Sequence, residues 1–204
     1  MQLKLKCECG QVQGLLTIKS FSDGNNITCM CDDCQCFAHY LGKEDQILNK
    51  NGGTPIFQTT PNKMKITQGN EKLNCVALSP KGAKRWFTSC CRTPVGNTVS
   101  AKMSFIGLIH NFIDFNSIEE SERLQFKNFS NHCMGNFGRG ELPKNTSPKF
   151  PLGLTLKIMK TILHGKLFKT YQPNSLFNIE TGDPISPLHI IPKDEIAKIK
   201  GKFS

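Results

Sequence analysis

The sequence predicts a mainly β fold of short antiparallel strands, followed by a C-terminal extension containing one or two helices. Three observations predict it. Apolar and polar residues alternate in short runs through the first half, and turn signals separate those runs. From about residue 116 the texture changes to polar and loop-like segments, then to helical spacing. The 204 residues have room for one domain with an extension, or for one large domain. We divide the chain into a β domain at 1–115 and an extension at 116–204.

Leu3, Leu5 and Cys7 alternate with Lys4, Lys6 and Glu8, the pattern of a half-buried strand. Residues 14–19 form a second strand, stopped by the turn-rich run 22–26. Further strands are expected at 56–59, 64–67, 73–78, 85–88 and 104–110, with turns at 68–70 and 79–82. A short helix is expected at 34–41, capped by Asp32 or Asp33 and closed by Gly42. It places Cys34 in a first turn, where free backbone N–H groups favour a thiolate. In the extension, Leu152, Leu156, Met159 and Leu163 follow helical spacing after Pro151, and Gly165 follows the last of them. This predicts an amphipathic helix at about 152–164, its stripe packed on the core and its basic face solvated. A final short helix is expected from Pro192 through Lys200.

Ten cysteines in this length is about 5%, below the level of a disulfide scaffold. The N-terminus lacks the apolar stretch of a secretory signal, and no run approaches the length of a membrane span. The expected compartment is therefore reducing and cytoplasmic, where thiols bind metals or do chemistry. The formal charge of +10 suggests nucleic acid or an anionic membrane surface. Residues 142–179 hold six Lys and no Asp or Glu, so any electrostatic partner points to the extension. Aromatic residues do not interleave regularly with those lysines, which disfavours nucleic acid held by base stacking.

The cysteines cluster. Cys7-Glu8-Cys9-Gly10 lets two thiolates converge on one ion while the chain turns, but zinc wants about four ligands. Cys90-Cys91, at the end of a strand, is well placed to supply the remainder. Cys29-Met30-Cys31-Asp32-Asp33-Cys34 offers three thiolates on a turn entering a helix, and three protein ligands leave an open fourth position. The main rival is an iron–sulfur cluster held by the four cysteines between 29 and 36. Cys75 reads as a buried small hydrophobe and Cys133 as structural, while Cys36 is a spare ligand or a plain helix residue. His39 and His110 are the proton carriers available in the first half. His39 lies about 140° around the helix from Cys34, and both histidines read better as structural. Helix capping accounts for Asp32 and Asp33 without chemistry. Gly135, Gly138 and Gly140 lack the strand-and-helix setting of a phosphate loop.

Taken together, Cys7-x-Cys9-Gly10, Cys29-x-Cys31-x-x-Cys34 and Phe87…Cys91-x-Thr93-Pro94 resemble the glutathione-dependent formaldehyde-activating enzyme family, which includes the centromere protein V type. The resemblance covers about residues 1–115. It is strongest to an uncharacterised branch with a C-terminal extension, through Asp32-Asp33-Cys34-Gln35, Trp86-Phe87…Cys90-Cys91 and Gly107-Leu108-Ile109-His110. The resemblance implies a β-tent fold holding two zinc ions. Cys7, Cys9 and Cys91 match ligands of its structural zinc, and Cys29, Cys31 and Cys34 match those of its catalytic zinc.

This chain departs from the family where Thr88 stands in place of a ligand cysteine and Arg92 in place of a glycine. Cys90 is the natural substitute as fourth structural ligand. Adjacent residues point to opposite sides of a regular strand, so Cys90 and Cys91 can share an ion only if the chain bends there. The implied activity is that of a zinc-dependent carbon–sulfur lyase acting on thiol–aldehyde adducts such as S-hydroxymethylglutathione, with glutathione as the thiol. No catalytic residue is assigned beyond the metal site. The alternative is a non-catalytic, zinc-stabilised binding module that uses the basic C-terminal segment for nucleic acid or an anionic membrane.

Overall fold

β1 (Gln2–Lys6) buries Leu3 and Leu5 and turns its other side chains outward, the alternation its sequence dictates. It pairs antiparallel with β2 (Gln13–Thr17). Next come β3 (Asn25–Cys29), α1 (Asp32–Leu41), the short α2 (Glu44–Ile47) and β4 (Thr54–Thr59). They are followed by β5 (Met64–Gln68), β6 (Leu73–Ala77), β7 (Lys84–Thr88), β8 (Pro94–Thr98) and β9 (Ile106–Ile109). The later segment adds α3 (Glu120–Lys127), β10 (Asn131–Cys133), α4 (Leu152–Phe168), β11 (Leu188–Ile190) and α5 (Lys193–Lys200). The structure, a computed structural model, describes residues 1–127 and 131–203.

The strands form a three-stranded sheet, β1-β2-β5, and an eight-stranded sheet in the order β10-β3-β4-β9-β8-β7-β6-β11. The protein is therefore mainly β. Pairing is antiparallel through the interior of the large sheet, but β10 joins β3 and β11 joins β6 in parallel. The sheet is mixed rather than wholly antiparallel because both edge strands come from the later segment. Three residues each, they cover the open backbone groups of β3 and β6 with edges too short to template further pairing.

Successive residues of the large sheet enter different cores. Phe57, Cys75, Trp86 and Leu108 pack with Leu3, Leu16 and Ile66 of the small sheet. Their neighbours Ile56, Val76, Phe87 and Ile109 pack instead with Phe37 and Leu41 of α1, Leu154 of α4, and Ile191. The sheet is thus buried on both faces, which is why β9 reads as an unbroken apolar run.

Several expectations are corrected. The run 22–26 is not wholly a turn: Asn25 and Asn26 open β3, paired with Gln58 and Phe57. Neither Asp32 nor Asp33 caps α1. Cys31 occupies that position, while Asp33 pairs with Arg85 and Asp32 with Lys200 of α5. Gly42 does close α1, left-handed at φ 61° and donating to the carbonyls of Ala38 and His39. The extension's main helix does not stop near 164; α4 runs through Gly165 to Phe168 and ends at left-handed Lys169. Gly165 marks a close approach instead, because a Cβ there would lie 2.1 Å from Ser104 Cβ. The stripe of Leu152, Leu156, Met159 and Leu163 does not pack on the core; Leu154 and Gly165, on the other side of the helix, are the buried residues. Among the described residues no helix is long and apolar enough to cross a membrane.

Candidate metal centres

At the end of β1 the chain turns back on itself. Cys7 N–H donates to Val12 O at 2.9 Å and Gly10 N–H to Cys7 O at 2.9 Å, with Gly10 left-handed at φ 74°. The turn sets Cys9 Sγ 3.6 Å from Cys7 Sγ. A second bend follows β7. Thr88 N–H donates to Thr93 O at 3.0 Å, Arg92 N–H donates to Thr88 O at 2.8 Å, and Arg92 takes the left-handed φ of 56°.

This loop supplies the bend that two adjacent cysteines require. Cys90 Sγ lies 3.3 Å from Cys9, 3.8 Å from Cys7 and 3.8 Å from Cys91. All four sulfurs fall within 4.8 Å of one another. Four sulfurs at about 2.3 Å from a tetrahedral ion are separated by about 3.8 Å, so the quartet has the dimensions of a closed metal site. Val12 N–H donates to Cys7 Sγ at 3.2 Å, and the hydroxyls of Thr88 and Thr93 share hydrogen bonds with Cys91 Sγ at 3.4 and 3.2 Å. Burial works against ionisation of Cys91, yet those hydroxyls and the backbone and thiol of Cys9 bring it down to about 5. Burial, with the thiol of Cys9 adding to it, pushes Cys90 up to about 12. Thr88 thus serves the quartet as a hydrogen-bonding neighbour of Cys91.

The second group forms where β3 meets α1. Cys29 ends the strand, Cys31 caps the helix, and Cys34 lies in its first turn with its N–H donating to Cys31 O at 3.0 Å. Their three sulfurs also lie within 4.8 Å of one another. Cys29 and Cys34 are buried, and Cys31 is half-buried. Both cysteine groups can hold a metal ion.

Two residues beside this trio escaped the sequence reading. Arg85 of β7 is buried, its Nη1 3.9 Å from Cys34 Sγ and 3.3 Å from Asn97 Oδ1, and its Nη2 3.5 Å from Asp33. Its guanidinium also lies over the Phe37 ring at 5.6 Å. The thiols of Cys29 and Cys31, and then Arg85, hold Cys34 well below the ordinary thiol range despite its burial. The available signal was an arginine opening the otherwise apolar run Arg85-Trp86-Phe87. Cys133 is the other: the parallel register of β10 on β3 sets it opposite Cys29. Its thiol contacts that of Cys29, which is the main cause of Cys29's raised pKa, and donates to Thr28 O at 3.7 Å. A separation of 104 residues left no sequence signal for that pairing.

Cys36 and Cys75 join neither group, and burial pushes their thiols up to about 11 and about 12. Of the four cysteines at 29–36, three gather their sulfurs at the spacing of ligands on one ion and Cys36 stands outside them. His39 Nδ1 lies 3.2 Å from Glu44 and its ring stacks on Phe203 at 4.7 Å, while His110 packs against Phe126 at 4.9 Å. Neither histidine belongs to a metal group. A cleft of about 770 Å³, lined by Lys6, Cys7, Lys43, Thr93, His110 and Asp114 among others, lies beside the quartet; the trio does not line it. Gly135 does follow a strand, β10, but opens a short 3-10 turn rather than the helix a phosphate loop needs.

The model of the Family of unknown function (DUF6151) matches residues 2–189, and the chain belongs to that family. A search of curated proteins finds no match. Among solved structures, a Rhodobacter sphaeroides protein is similar over 58% of this chain and 93% of its own, at 17% identity and a TM-score of 0.40.

Proposed function

We propose that this member of a family of unknown function is a two-zinc protein with the β-tent fold of the glutathione-dependent formaldehyde-activating enzymes. On this reading Cys7, Cys9, Cys90 and Cys91 hold a structural zinc, and Cys29, Cys31 and Cys34 hold a reactive one. The trio acts as a carbon–sulfur lyase centre on adducts of a thiol and an aldehyde, such as S-hydroxymethylglutathione. The observation that carries this reading is the difference between the two groups. The quartet has four sulfurs, whereas the trio gathers three, keeps one only partly buried and has a buried arginine against another.

Zinc at the trio would supply a coordination position where an incoming thiol binds and loses its proton. The chain's own part is electrostatic. Three thiolates carry a charge of −3, and the Arg85 guanidinium offsets one of them from a site too buried for water to screen. Asn97 and Asp33 fix the guanidinium from two sides. In the condensation direction the thiolate sulfur bonds to the aldehyde carbon and the aldehyde oxygen takes up a proton; cleavage of the adduct reverses both changes. His39 and His110 lie outside the trio, and the chain's contribution there is charge and position. Ten free thiols suit a reducing, cytoplasmic setting.

The test is to count zinc and iron per chain before and after a mild chelator while following turnover of the glutathione–formaldehyde adduct. Two zincs, one exchangeable, with turnover abolished in Cys31→Ser and Cys34→Ser, are expected. A single tightly held zinc, or bound iron, overturns the two-zinc model. Two zincs without turnover overturn the lyase.

A further inference from the structure

The outer face of α4 carries a feature that neither cysteine group explains. At about 100° per residue, Leu152, Leu156, Met159, Leu163 and Leu167 fall within an arc of roughly 80°. All five are exposed, from 51% at Met159 to 75% at Leu167. Leu154 and Gly165, the buried residues of the helix, lie on the opposite side, with Ile158 packed near them. The core has taken the sparser apolar face and left the richer one in solvent, the reverse of an ordinary surface helix.

The charges on the helix itself have one sign, and the carboxylate that shares a groove with Lys157 and Lys160, Asp23, is paired with Lys63. Lys160 and Lys166 flank it at about 60° on either side. Lys157, Lys169, Lys149 and Lys144 complete a segment, residues 142–179, that has six lysines and no acidic residue. No described helix is long and apolar enough to cross a membrane, and a basic helix with one apolar ridge, as α4 is, suits the plane of a bilayer surface.

We propose that α4 is an interfacial helix that docks the protein on an anionic lipid membrane. The leucine ridge enters the headgroup layer and the flanking lysines meet lipid phosphates and carboxylates. Charge complementarity selects this occupant. A second copy meeting the ridge face to face would set lysines against lysines with no carboxylate on either helix to neutralise them. A nucleic acid would satisfy the lysines and leave five large apolar side chains uncovered. The inference is independent of any metal at the cysteine groups.

Vesicle flotation tests it with the full chain. Binding is expected to phosphatidylcholine–phosphatidylserine vesicles and not to phosphatidylcholine alone, and to weaken with salt. Lys160→Gln with Lys166→Gln is expected to weaken partitioning roughly 30-fold, each lysine near an anionic surface being worth about 1 kcal/mol. Leu156→Ser with Leu163→Ser alters exposed positions only, so the fold and metal content should persist while vesicle binding falls at least about tenfold. Vesicle binding unchanged in both double variants overturns the proposal, as does no vesicle binding at all. So does a concentration-dependent dimer abolished by the leucine pair, or oligonucleotide binding insensitive to it, when vesicles are not bound.

Discussion

Arg85 Nη1 lies 3.9 Å from Cys34 Sγ, so a buried guanidinium borders the three-cysteine group although 51 residues separate the two. Groups that orient and charge-compensate metal ligands typically govern affinity by about 10–100-fold. Arg85→Met keeps most of the buried volume and removes the charge and the donors. It is expected to weaken metal binding at the trio by about that factor and to leave the quartet unchanged. Competitive chelator titration with Co²⁺, whose thiolate bands report each site, measures both. Equal affinities in the variant and the native chain would reduce Arg85 to a packing role.

Cys90 completes the quartet from an exposed position, 3.3 Å from Cys9 Sγ. Metal affinity at a closed thiolate site is also folding free energy. Cys90→Ser is therefore expected to remove one metal per chain and to lower the melting temperature, while Cys36→Ala leaves metal content unaltered. Metal analysis with thermal melts, each with and without chelator, checks this. A Cys90→Ser chain that retains its full metal complement would place the fourth ligand elsewhere.

What could be read from the chain was what local chemistry encodes. Alternation at Leu3, Leu5 and Cys7 announced β1, and Cys-x-Cys and Cys-x-x-Cys spacings announced thiols that turn geometry brings together. What depended on distant register could not be read. β10 and β11 are three-residue strands that exist only because β3 and β6 offer them open edges, so Cys133 came to Cys29 unannounced. α4 shows another limit. It has apolar residues on two sides, Leu154 and Ile158 against Leu156 and Leu163, and periodicity cannot say which side the sheet will claim. Gly165 was ambiguous for a related reason, since glycine marks both helix ends and close approaches.

Arg92 joins the quartet loop to the C-terminal turn of α1. Its Nη2 donates to Tyr40 O at 2.6 Å, its Nε donates to Leu41 O at 3.1 Å, and its guanidinium lies 5.5 Å from the Tyr40 ring centre. These contacts are made from a left-handed backbone at φ 56°, which costs a side-chain-bearing residue about 1–2 kcal/mol. Arg92→Ala loses the contacts and keeps the strain; Arg92→Gly loses the contacts and relieves it. Both should be less stable than the native chain, with the glycine variant the better of the two by about 1 kcal/mol. Urea denaturation ranks them, and an alanine variant as stable as the glycine one would contradict a left-handed residue 92.

Two glycines of α4 give opposite expectations for the same substitution. Among the described residues nothing lies within 4 Å of a Cβ built on Gly153, so Gly153→Ala should stabilise the chain by up to about 1 kcal/mol through helix propensity. A Cβ on Gly165 would lie 2.1 Å from Ser104 Cβ and 2.6 Å from Thr170 Oγ1. Gly165→Ala must therefore push α4 off its seat, and overpacking of this kind costs about 1–3 kcal/mol, more than propensity returns. Denaturant midpoints should move up for the first variant and down for the second. Because the exposure of the leucine ridge depends on α4 being seated through Leu154 and Gly165, an upward shift for Gly165→Ala would mean that a different face of the helix meets the core.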